Sequence, residues 1–334
     1  MLPPLVSFKS AVDLKKAILA TGELSQAEEK AFSDLVHAGL PPLVSPTAFG
    51  LILGISPKLI TSLATHPRRK YPYYRRYKVP KKSGGSRTIL APRTYLKAVQ
   101  KFILRQILEK HKIPEYVTGF VKRTGIIQNA RFHVGAQYLL NVDIKDFFPS
   151  VRMEKVLKIF REFGFSREMS RLLTMLCTFE GSLPQGAPSS PSLANLVFLE
   201  IDNEIVRICR RFGMTYSRYA DDLTFSRRLP IPENFLTRLT ALLGARGFTI
   251  NRKKIRNAKS GQAMYVTGLV VNEKVQPDRQ TRRMLRAMFH GAVTQPRVYR
   301  KRAAQLSGWA SYVFSYDRSL GSRYLKIARS LATG

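Results

Sequence analysis

Three aspartates have the residue type and the spacing needed to hold divalent metal ions. Asp143 lies at the end of a predicted buried strand, and Asp221 and Asp222 lie at the tip of a predicted strand–turn–strand. A surface turn would explain an isolated Asp-Asp pair, but here apolar and aromatic strand residues flank the pair on both sides. Hard cations prefer carboxylate oxygens, and two adjacent acids repel each other unless a cation neutralises them. The pattern therefore predicts a metal site.

These carboxylates suit the transfer of a phosphoryl group between nucleotides. Such a transfer needs little covalent help from a protein and depends on positioning and charge neutralisation. Two Mg²⁺ ions about 3.5–4 Å apart can activate a hydroxyl and stabilise the leaving pyrophosphate. We predict Asp143, Asp221 and Asp222 to be the catalytic and metal-binding residues of such a site. The predicted cofactors are two Mg²⁺ ions, for which Mn²⁺ could substitute.

The charge balance points to a polyanionic partner. The chain has 56 Lys and Arg against 22 Asp and Glu, a formal net charge of +34 over 334 residues. A folded protein with this charge repels itself unless a polyanion neutralises it, and nucleic acid fits best. An anionic membrane is the competing partner, but the sequence shows no basic amphipathic anchor of the kind that membrane binding requires. We therefore expect a nucleic-acid partner and no membrane partner.

The sequence favours a cytoplasmic protein. It contains no apolar run of about 18 residues that could span a bilayer, and its first residues lack the basic-then-apolar order of a secretory signal. Cys177 and Cys209 lie outside any CxxC motif and have apolar neighbours. They are predicted to be buried, reduced thiols rather than zinc ligands.

The hydrophobic periodicity indicates the elements that must position the acids. Residues 1–66 are predicted to be helical. Residues 67–101 contain twelve Lys or Arg, no acid and several Tyr, and they predict a basic hairpin with its turn at Ser83-Gly84-Gly85-Ser86. Met264–Val271 is predicted to be one strand. The stretch 274–302, with nine Lys or Arg against one acid, is predicted to be helical.

The order of the motifs resembles that of the reverse transcriptases. Members of this family carry an Asp in the first palm motif and a Tyr-x-Asp-Asp hairpin in the third, as do Asp143 and Tyr219-Ala-Asp-Asp222 here. Between them, Leu183-Pro-Gln-Gly-Ala-Pro-Ser-Ser-Pro-Ser-Leu-Ala-Asn195 resembles the second palm motif of the family. The resemblance runs from about residue 70 to about residue 325 and implies an RNA-directed DNA polymerase.

The resemblance implies an α+β, right-hand polymerase fold with fingers, a palm built on an antiparallel sheet, and a short helical thumb. We expect a helical N-terminal extension at residues 1–66 and part of the fingers at 67–138. The palm, with some fingers helices, is expected at 139–272, and the thumb at 273–334.

Individual residues carry over to a nucleotide-binding site. Phe148 matches the aromatic gate of the family, whose ring would collide with a ribose 2′-hydroxyl and so select deoxynucleoside triphosphates. Basic residues of the fingers match contacts to the triphosphate, which a guanidinium can grip bidentately. The other nucleotide-binding positions that the resemblance implies are Lys82, Arg87, Asp146, Gln185, Gly186 and Lys254.

Two further strings are similar to signatures of the retron reverse transcriptases, bacterial enzymes that copy part of their own structured RNA. The strings are Asn129-Ala-Arg-Phe-His133 and Val266-Thr-Gly268. On its own His133 would more often be a core histidine, and the joint occurrence of the strings favours the resemblance. The RNA-binding residues that we expect are Asn129, His133, Val266, Thr267, Gly268, Arg282, Arg283 and Arg286.

The retron resemblance implies a set of partners. They are a cognate structured non-coding RNA, its DNA copy primed from an RNA 2′-hydroxyl, deoxynucleoside triphosphates, and an effector protein of an antiphage defence complex. A host ribonuclease H is expected as well, because the sequence shows no such domain before Gly334.

Three alternatives remain open at the level of the sequence. A group II intron reverse transcriptase shares the palm motifs but normally continues into maturase and often endonuclease segments. An RNA-directed RNA polymerase would conflict with the Phe148 gate. A catalytically silent RNA-binding scaffold would have no need of three intact acids.

Overall fold

The computed structural model describes residues 10–22, 24–65, 73–80 and 84–333. Both α-helices and antiparallel β-strands occur in them, so the chain is of the α+β class. Backbone contacts divide the chain into two compact units. The first unit comprises the residues up to Pro114 together with Lys145–Asn203 and Leu243–Phe248. The second unit comprises Glu115–Ile144, Glu204–Leu242 and the residues from Thr249 onward.

Helices form most of the regular structure. In chain order the described helices are α1 (Ala11–Leu19), α2 (Gln26–His37), α3 (Pro46–Leu53), α4 (Pro57–Thr65), α5 (Thr94–Gln106), α6 (Ile126–Arg131), α7 (Phe147–Ser150), α8 (Met153–Glu162), α9 (Arg167–Cys177), α10 (Ser190–Arg211), α11 (Phe235–Ala245), α12 (Arg279–Thr294), α13 (Pro296–Tyr299), α14 (Ala303–Tyr316) and α15 (Arg318–Thr333). The described strands are β1 (Tyr74–Pro80), β2 (Ser86–Pro92), β3 (Tyr138–Lys145), β4 (Thr215–Tyr219), β5 (Asp222–Arg227), β6 (Thr249–Ile250), β7 (Arg256–Lys259), β8 (Tyr265–Val266) and β9 (Leu269–Val270).

The N-terminal segment is helical, as predicted, throughout its described part from α1 to α4. Local capping explains where these helices begin. Ser25 caps α2 in a reciprocal capping box with Glu28, which satisfies two backbone N–H groups at once. Ser45 caps α3, and Pro46 follows it in the first turn, where no intrahelical N–H bond is lost.

The predicted basic hairpin is present as β1 and β2, which pair antiparallel from Tyr74 opposite Pro92 to Pro80 opposite Ser86. Tyr74 is buried, whereas the rest of β1 is exposed. Gln100 of α5 anchors the base of this hairpin, because its Nε2 donates to the Tyr74 hydroxyl at 3.1 Å and to the Leu176 carbonyl at 2.8 Å. Ser83, the first residue of the predicted turn, lies outside the described residues.

A sheet of five described strands forms the frame of the second unit. Its order is β4–β5–β3–β6, and β7 also pairs with β3. Strand β5 runs antiparallel to both β4 and β3. Leu139, Leu140 and Val142 of β3 are almost fully buried, so the central strand is fixed by the hydrophobic effect.

The prediction of a single strand at Met264–Val271 was wrong. The segment forms a tight hairpin in which β8 and β9 pair antiparallel across a two-residue turn. Thr267 and Gly268 both have positive φ, +47° and +82°, and two such residues in succession reverse a chain between strands. Apolar residues on both sides of Thr267-Gly268 together resemble one strand, and this concealed the turn.

The basic segment after Pro277 is helical, as predicted. Helices α12, α14 and α15 share an apolar core that includes Leu285, Phe289 and Tyr324, with the rings of Phe289 and Tyr324 stacked at 3.8 Å. Gly321 allows α15 to approach α14 closely, since a Cβ there would lie 2.3 Å from the Phe314 Cα. The division into extension, fingers, palm and thumb stays a prediction.

Among the described residues, no single helix has the length and apolar character to cross a membrane. The bent pair α3 and α4, which meet at 109°, would reach that length only together.

Candidate active site

Strand register places the three aspartates together in the second unit. Asp143 of β3 lies directly opposite Asp222, the first residue of β5. Asp221 precedes it in the β4–β5 turn, where Ala220 has a φ of +59°. The Asp221 carbonyl accepts a hydrogen bond from the Ile144 N–H at 2.9 Å, which ties the turn to β3. The sheet thus brings two distant parts of the sequence to one strand end.

Asp143 is held by two neighbours from the segment after β6. Lys254 Nζ lies 2.7 Å from one carboxylate oxygen, and Asn251 Nδ2 donates to the other at 3.1 Å. Asp143 is 5% exposed. The hydrogen bond to Asp143 is the main cause that raises the pKa of Lys254 above its usual value, and the charges of Asp221 and Asp222 add to it.

Asp222 carries the electrostatic signature of crowded acids. Loss of hydration raises the pKa of its carboxyl group to about 6, and repulsion by Asp221 and then Asp143 contributes further. The charge of Lys254 acts in the opposite direction. Ionising Asp222 beside two other carboxylates costs free energy. A cation that enters the site would lower this cost.

The three carboxylates are suitable ligands for a divalent cation, provided that the present contact of Asp143 with Lys254 is broken. Among the residues that the structure describes, no three His, Cys, Asp or Glu side chains already stand in a metal-binding arrangement. Asp143 is turned towards Lys254, whose ammonium group neutralises it. Carboxylate oxygens are nonetheless the ligands that hard divalent cations prefer. A metal ion would therefore have to replace the contact between Lys254 and Asp143.

The turn that carries Asp221 rests on a segment that the sequence analysis did not identify. Arg218 of β4 is fully buried, and its guanidinium donates to the Ala220 carbonyl at 3.2 Å. The Arg218 backbone bonds Tyr116 and Thr118, at 2.7 and 2.9 Å. At Gly119 an added Cβ would lie 2.1 Å from the Ala220 backbone nitrogen. The support of the turn therefore requires glycine at position 119.

A repeated tetrapeptide could have revealed this segment. Tyr-Val-Thr-Gly occurs at 116–119 and again at 265–268. Both copies contact α6: the Thr118 hydroxyl donates to Asn129 Oδ1 at 2.9 Å, and the Thr267 hydroxyl donates to the Ile126 carbonyl at 3.1 Å. Two threonines, each within its own Tyr-Val-Thr-Gly segment, therefore form hydrogen bonds with helix α6.

The two strings predicted as retron signatures meet in the structure. Ala130 and Val266 belong to one buried apolar cluster, so the second string packs on the helix formed by the first. The side chains of Asn129, His133 and Val266 are almost fully buried. They face the interior, which differs from the expectation that they contact RNA, and any part in RNA binding stays a prediction.

His133 has a structural role. Its two ring nitrogens bond the hydroxyls of Ser217 on β4 and Ser226 on β5, each at 2.7 Å. Burial lowers the pKa of the imidazole to about 3, so the ring is neutral near pH 7. The residues of the predicted RNA-binding set that reach the surface fully are Gly268, Arg283 and Arg286, and Thr267 and Arg282 are half-buried.

Most of the predicted nucleotide-binding residues lie in the first unit. Phe147 and Phe148 are adjacent but differ in environment. Phe147 is buried, with its ring 5.7 Å from that of Phe198 and 6.1 Å from that of Phe248, whereas Phe148 is half-exposed. Asp146, just before them, has a φ of +48°.

The second palm motif lies against strand β2. The Gln185 carbonyl accepts from the Leu90 N–H at 2.7 Å. Gly186 has a φ of +120°, and a Cβ there would lie 2.7 Å from Ile89 Cγ2, so a larger residue would push the strand away. Arg87, exposed on β2, therefore belongs to the same local surface. Lys82 lies outside the described residues.

The sequence analysis also missed a basic stripe on α5. A cleft of about 810 Å³ in the first unit is lined by Arg75 and by side chains spaced four residues apart along α5. These residues, called the α5 stripe below, are Arg93, Lys97, Lys101 and Arg105. None forms an ion pair with another described residue. The four-residue spacing without an intervening acid was the signal that could have identified the stripe.

Comparisons with known proteins agree with this geometry. Residues 79–278 match the family described as reverse transcriptase (RNA-dependent DNA polymerase). The chain is 37% identical over 254 residues to the retron Ec86 reverse transcriptase of Escherichia coli, covering 73% of this chain and 77% of the relative. It is 33% identical over 340 residues to the retron Mx162 reverse transcriptase of Myxococcus xanthus, covering 91% and 69%.

Solved structures with a similar arrangement include telomerases. The apo telomerase of Candida tropicalis has a TM-score of 0.48 at 10% identity and matches over 80% of this chain and 58% of its own. The telomerase of Candida albicans, in complex with a telomeric RNA fragment, has a TM-score of 0.44 at 8% identity and matches over 67% and 50%. The present chain thus spans little more than half the length of these telomerases.

The predicted fold class and family are both confirmed. The described residues combine helices with antiparallel sheets, as the α+β right-hand polymerase fold requires. The family match includes Asp143, the Leu183–Asn195 motif and Asp221-Asp222. With relatives of this identity covering most of the chain, the protein belongs to the reverse transcriptase family and, within it, to the retron reverse transcriptases.

Proposed function

We propose that this retron reverse transcriptase copies part of its own structured non-coding RNA into single-stranded DNA. The observation that supports this most directly is the register of Asp143 and Asp222, with Asp221 beside them in the turn. The names of its relatives point the same way, because they are called retron reverse transcriptases. Membership of the reverse transcriptase family supports RNA-directed DNA polymerase activity, and the choice of RNA is what the proposal adds.

In this proposal Asp143, Asp221 and Asp222 hold two Mg²⁺ ions. When bound, such ions activate the attacking hydroxyl and neutralise the charge on the pyrophosphate that leaves. Lys254 then no longer has to neutralise Asp143, and its ammonium group can bind the phosphates of the incoming nucleotide. Asn251 keeps Asp143 oriented through the second carboxylate oxygen.

The first unit supplies the residues for selecting the nucleotide. Phe148 is the sugar gate in the proposal, and its half-exposed ring beside a buried Phe147 supports that assignment. Arg87 binds the triphosphate, since its exposed guanidinium is free to form bidentate contacts. The backbone at Gln185 and Gly186 lies close to β2, so position 186 has no room for a residue larger than glycine.

The proposed template and primer form one folded RNA that the protein already holds. Its A-form stems would be bound by shape and backbone contacts, which the α5 stripe and the exposed arginines of α12 supply. DNA synthesis begins from an RNA 2′-hydroxyl in this proposal. The finished hybrid joins an effector protein in an antiphage defence complex, after a host ribonuclease H has removed the copied RNA.

One experiment tests the priming step. Protein purified from cells that express it with its flanking RNA should carry DNA joined to RNA by a 2′,5′ branch. Treatment with a debranching enzyme should release the DNA, which is then resolved on a denaturing gel. DNA that starts from an ordinary 3′ end, and so resists debranching, would contradict the retron priming while leaving the polymerase activity intact.

A further inference from the structure

A cavity of about 400 Å³ opens in the second unit beside the C-terminal helices. Leu285 and Val313, both almost fully buried, form part of its apolar wall. The aromatic rings of Tyr316 and Tyr324 also line it. The volume lies within the range of about 300–1,000 Å³ that is typical of ligand sites.

Cationic groups surround this apolar wall. Arg282 and Arg286 of α12, Arg131 at the end of α6, and Lys274 all line the cavity. The acids Glu273 and Asp317 line it too, but the Asp317 carboxylate already accepts the Leu320 N–H at 3.0 Å as the cap of α15. The positive charges therefore exceed the negative charges, and one of the two acids is engaged by its own helix.

Arg282 has a buried donor that no described group satisfies. Its Nε is buried and has no hydrogen-bond partner among the described residues. Buried polar groups in proteins nearly always have a partner, so each exception asks for an explanation. Arg282 also lines the cavity together with Tyr316 and Tyr324, and a guanidinium beside aromatic rings is suited to an anionic group attached to a flat apolar one.

We propose that this cavity binds a single unstacked nucleotide of the RNA held by the enzyme. Sequence-specific recognition of RNA uses unpaired bases that stack on aromatic side chains or guanidinium planes. Here the base would lie against Tyr316, and the phosphate would meet Arg282 and Arg286. The inference rests on the proposed function in that it requires a bound RNA, and it adds a site for distinguishing one RNA from another.

The composition of the cavity argues against simpler occupants. A surface that only attracted the phosphate backbone would not need an apolar wall, because such contacts are made in solvent. An apolar peptide would leave the Arg282 donor without a partner. A free mononucleotide has the same chemistry as one in RNA, so the experiment must separate these two sources.

Arg286 and Lys326 offer a matched pair of variants. Arg286 lines the cavity, whereas Lys326, exposed on α15, does not. Arg286→Ala and Lys326→Ala each remove one positive charge, so their difference reports on what Arg286 contacts. We expect R286A to weaken binding of the copurified RNA about tenfold, as loss of one stacked, phosphate-bound nucleotide does. K326A should weaken it by about twofold or less.

Ultraviolet crosslinking identifies the occupant. The wild-type protein–RNA complex is irradiated and digested, and mass spectrometry should find one nucleotide attached to the peptide that contains Tyr316. Tyr316→Leu, which keeps the apolar contact, should remove the adduct without changing the melting temperature by more than a few degrees. An equal loss of affinity in R286A and K326A, or the lack of an adduct at Tyr316, would overturn the proposal. Nucleoside monophosphates that crosslink there and leave RNA binding unchanged would make it a free-nucleotide site instead.

Primer extension on a generic RNA template with a DNA primer keeps this test separate from the proposed function. Y316L should extend such a primer as well as wild type, since Tyr316 lines the cavity and is not among the proposed catalytic, nucleotide-binding or backbone-binding residues. If wild-type protein extended no primer at all, the proposed function would fail, and the adduct at Tyr316 would still report on the cavity.

Discussion

Asp143 illustrates how single residues set the chemistry of this site. Its two carboxylate oxygens are shared between Lys254 and Asn251, so the side chain is oriented before any metal ion arrives. Lys254 is the group that a metal ion must displace, whereas Asn251 is neutral and can remain. Burial raises the pKa of Asp222 to about 6, and repulsion by Asp221 and Asp143 adds to this effect.

The first prediction is that Asp143→Asn and Asp221→Asn each abolish DNA synthesis and leave RNA binding nearly unchanged. An amide has one oxygen and no negative charge, so it binds a hard cation less tightly than a carboxylate does, whereas RNA affinity depends on the overall charge of +34. Primer extension and filter binding on the same preparations measure both properties. Synthesis retained in both variants would show that the metal ions are bound elsewhere.

The second prediction concerns the adjacent phenylalanines. Phe148→Ala should admit ribonucleotides, because the clash with the 2′-hydroxyl is relieved, and discrimination should fall by roughly 10- to 200-fold. Phe147→Ala should act differently, because Phe147 is 4% exposed and truncation of a core phenylalanine costs about 3–5 kcal/mol of stability. Single-nucleotide incorporation assays and thermal melting distinguish the two. If F147A and not F148A admitted ribonucleotides, the gate would be Phe147.

At the scale of elements, the two Tyr-Val-Thr-Gly segments explain how the β4–β5 turn is held. The copy at 116–119 lies against the backbone of the β4–β5 turn, and the copy at 265–268 forms the β8–β9 turn. Both threonines bond α6. Helix α6, which carries Asn129 and ends two residues before His133, therefore links the support of the turn to the β8–β9 hairpin.

The third prediction tests this support. Gly119→Ala should strongly reduce DNA synthesis, because the new methyl group would lie 2.1 Å from the Ala220 nitrogen and displace the turn that carries Asp221. Gly125→Ala is the matched control, since a Cβ there meets nothing within 4 Å. Both variants should bind RNA as wild type does. Equal synthesis by G119A and G125A would mean that the turn tolerates a shift.

At the scale of the whole molecule, the excess of positive charge determines how the protein meets RNA. The charge is distributed unevenly: α5 carries its basic side chains in one stripe, and α12 carries several exposed arginines. Neutralisation of phosphates releases counterions, so affinity falls as salt rises. Such contacts hold and orient an RNA without reading its sequence.

The fourth prediction uses this salt dependence. The double variant Lys97→Ala, Lys101→Ala should weaken RNA binding and reduce the slope of log affinity against log salt by about 1.5, as loss of two phosphate contacts implies. Lys30→Ala with Lys58→Ala removes the same charge from the exposed surface of α2 and α4 and should leave the slope nearly unchanged. RNA affinity is measured across a salt series. Identical slopes for the two double variants would exclude the α5 stripe from the RNA interface.

Local sequence was sufficient where a residue's role depends on its neighbours in the chain. The basic hairpin, the strand that ends in Asp143 and the turn with Asp221 were predictable because alternation, turn residues and paired acids are all short-range signals. The β8–β9 hairpin was missed because a threonine at positive φ is a rare turn residue, and only the tertiary contact of Thr267 with α6 stabilises it there.

The sequence by itself determined the chemistry. It identified three carboxylates and the family, and its charge balance indicated a polyanionic partner. What only the tertiary structure decided is which groups meet. Asp143 lies opposite Asp222, His133 bridges two strands as a neutral core residue, and Gly119 supports the β4–β5 turn. The cavity beside Arg282 also depends on the tertiary structure, because its lining residues come from separate parts of the chain. Each depends on residues far apart in the chain, whose proximity follows from strand register and close packing rather than from local propensity.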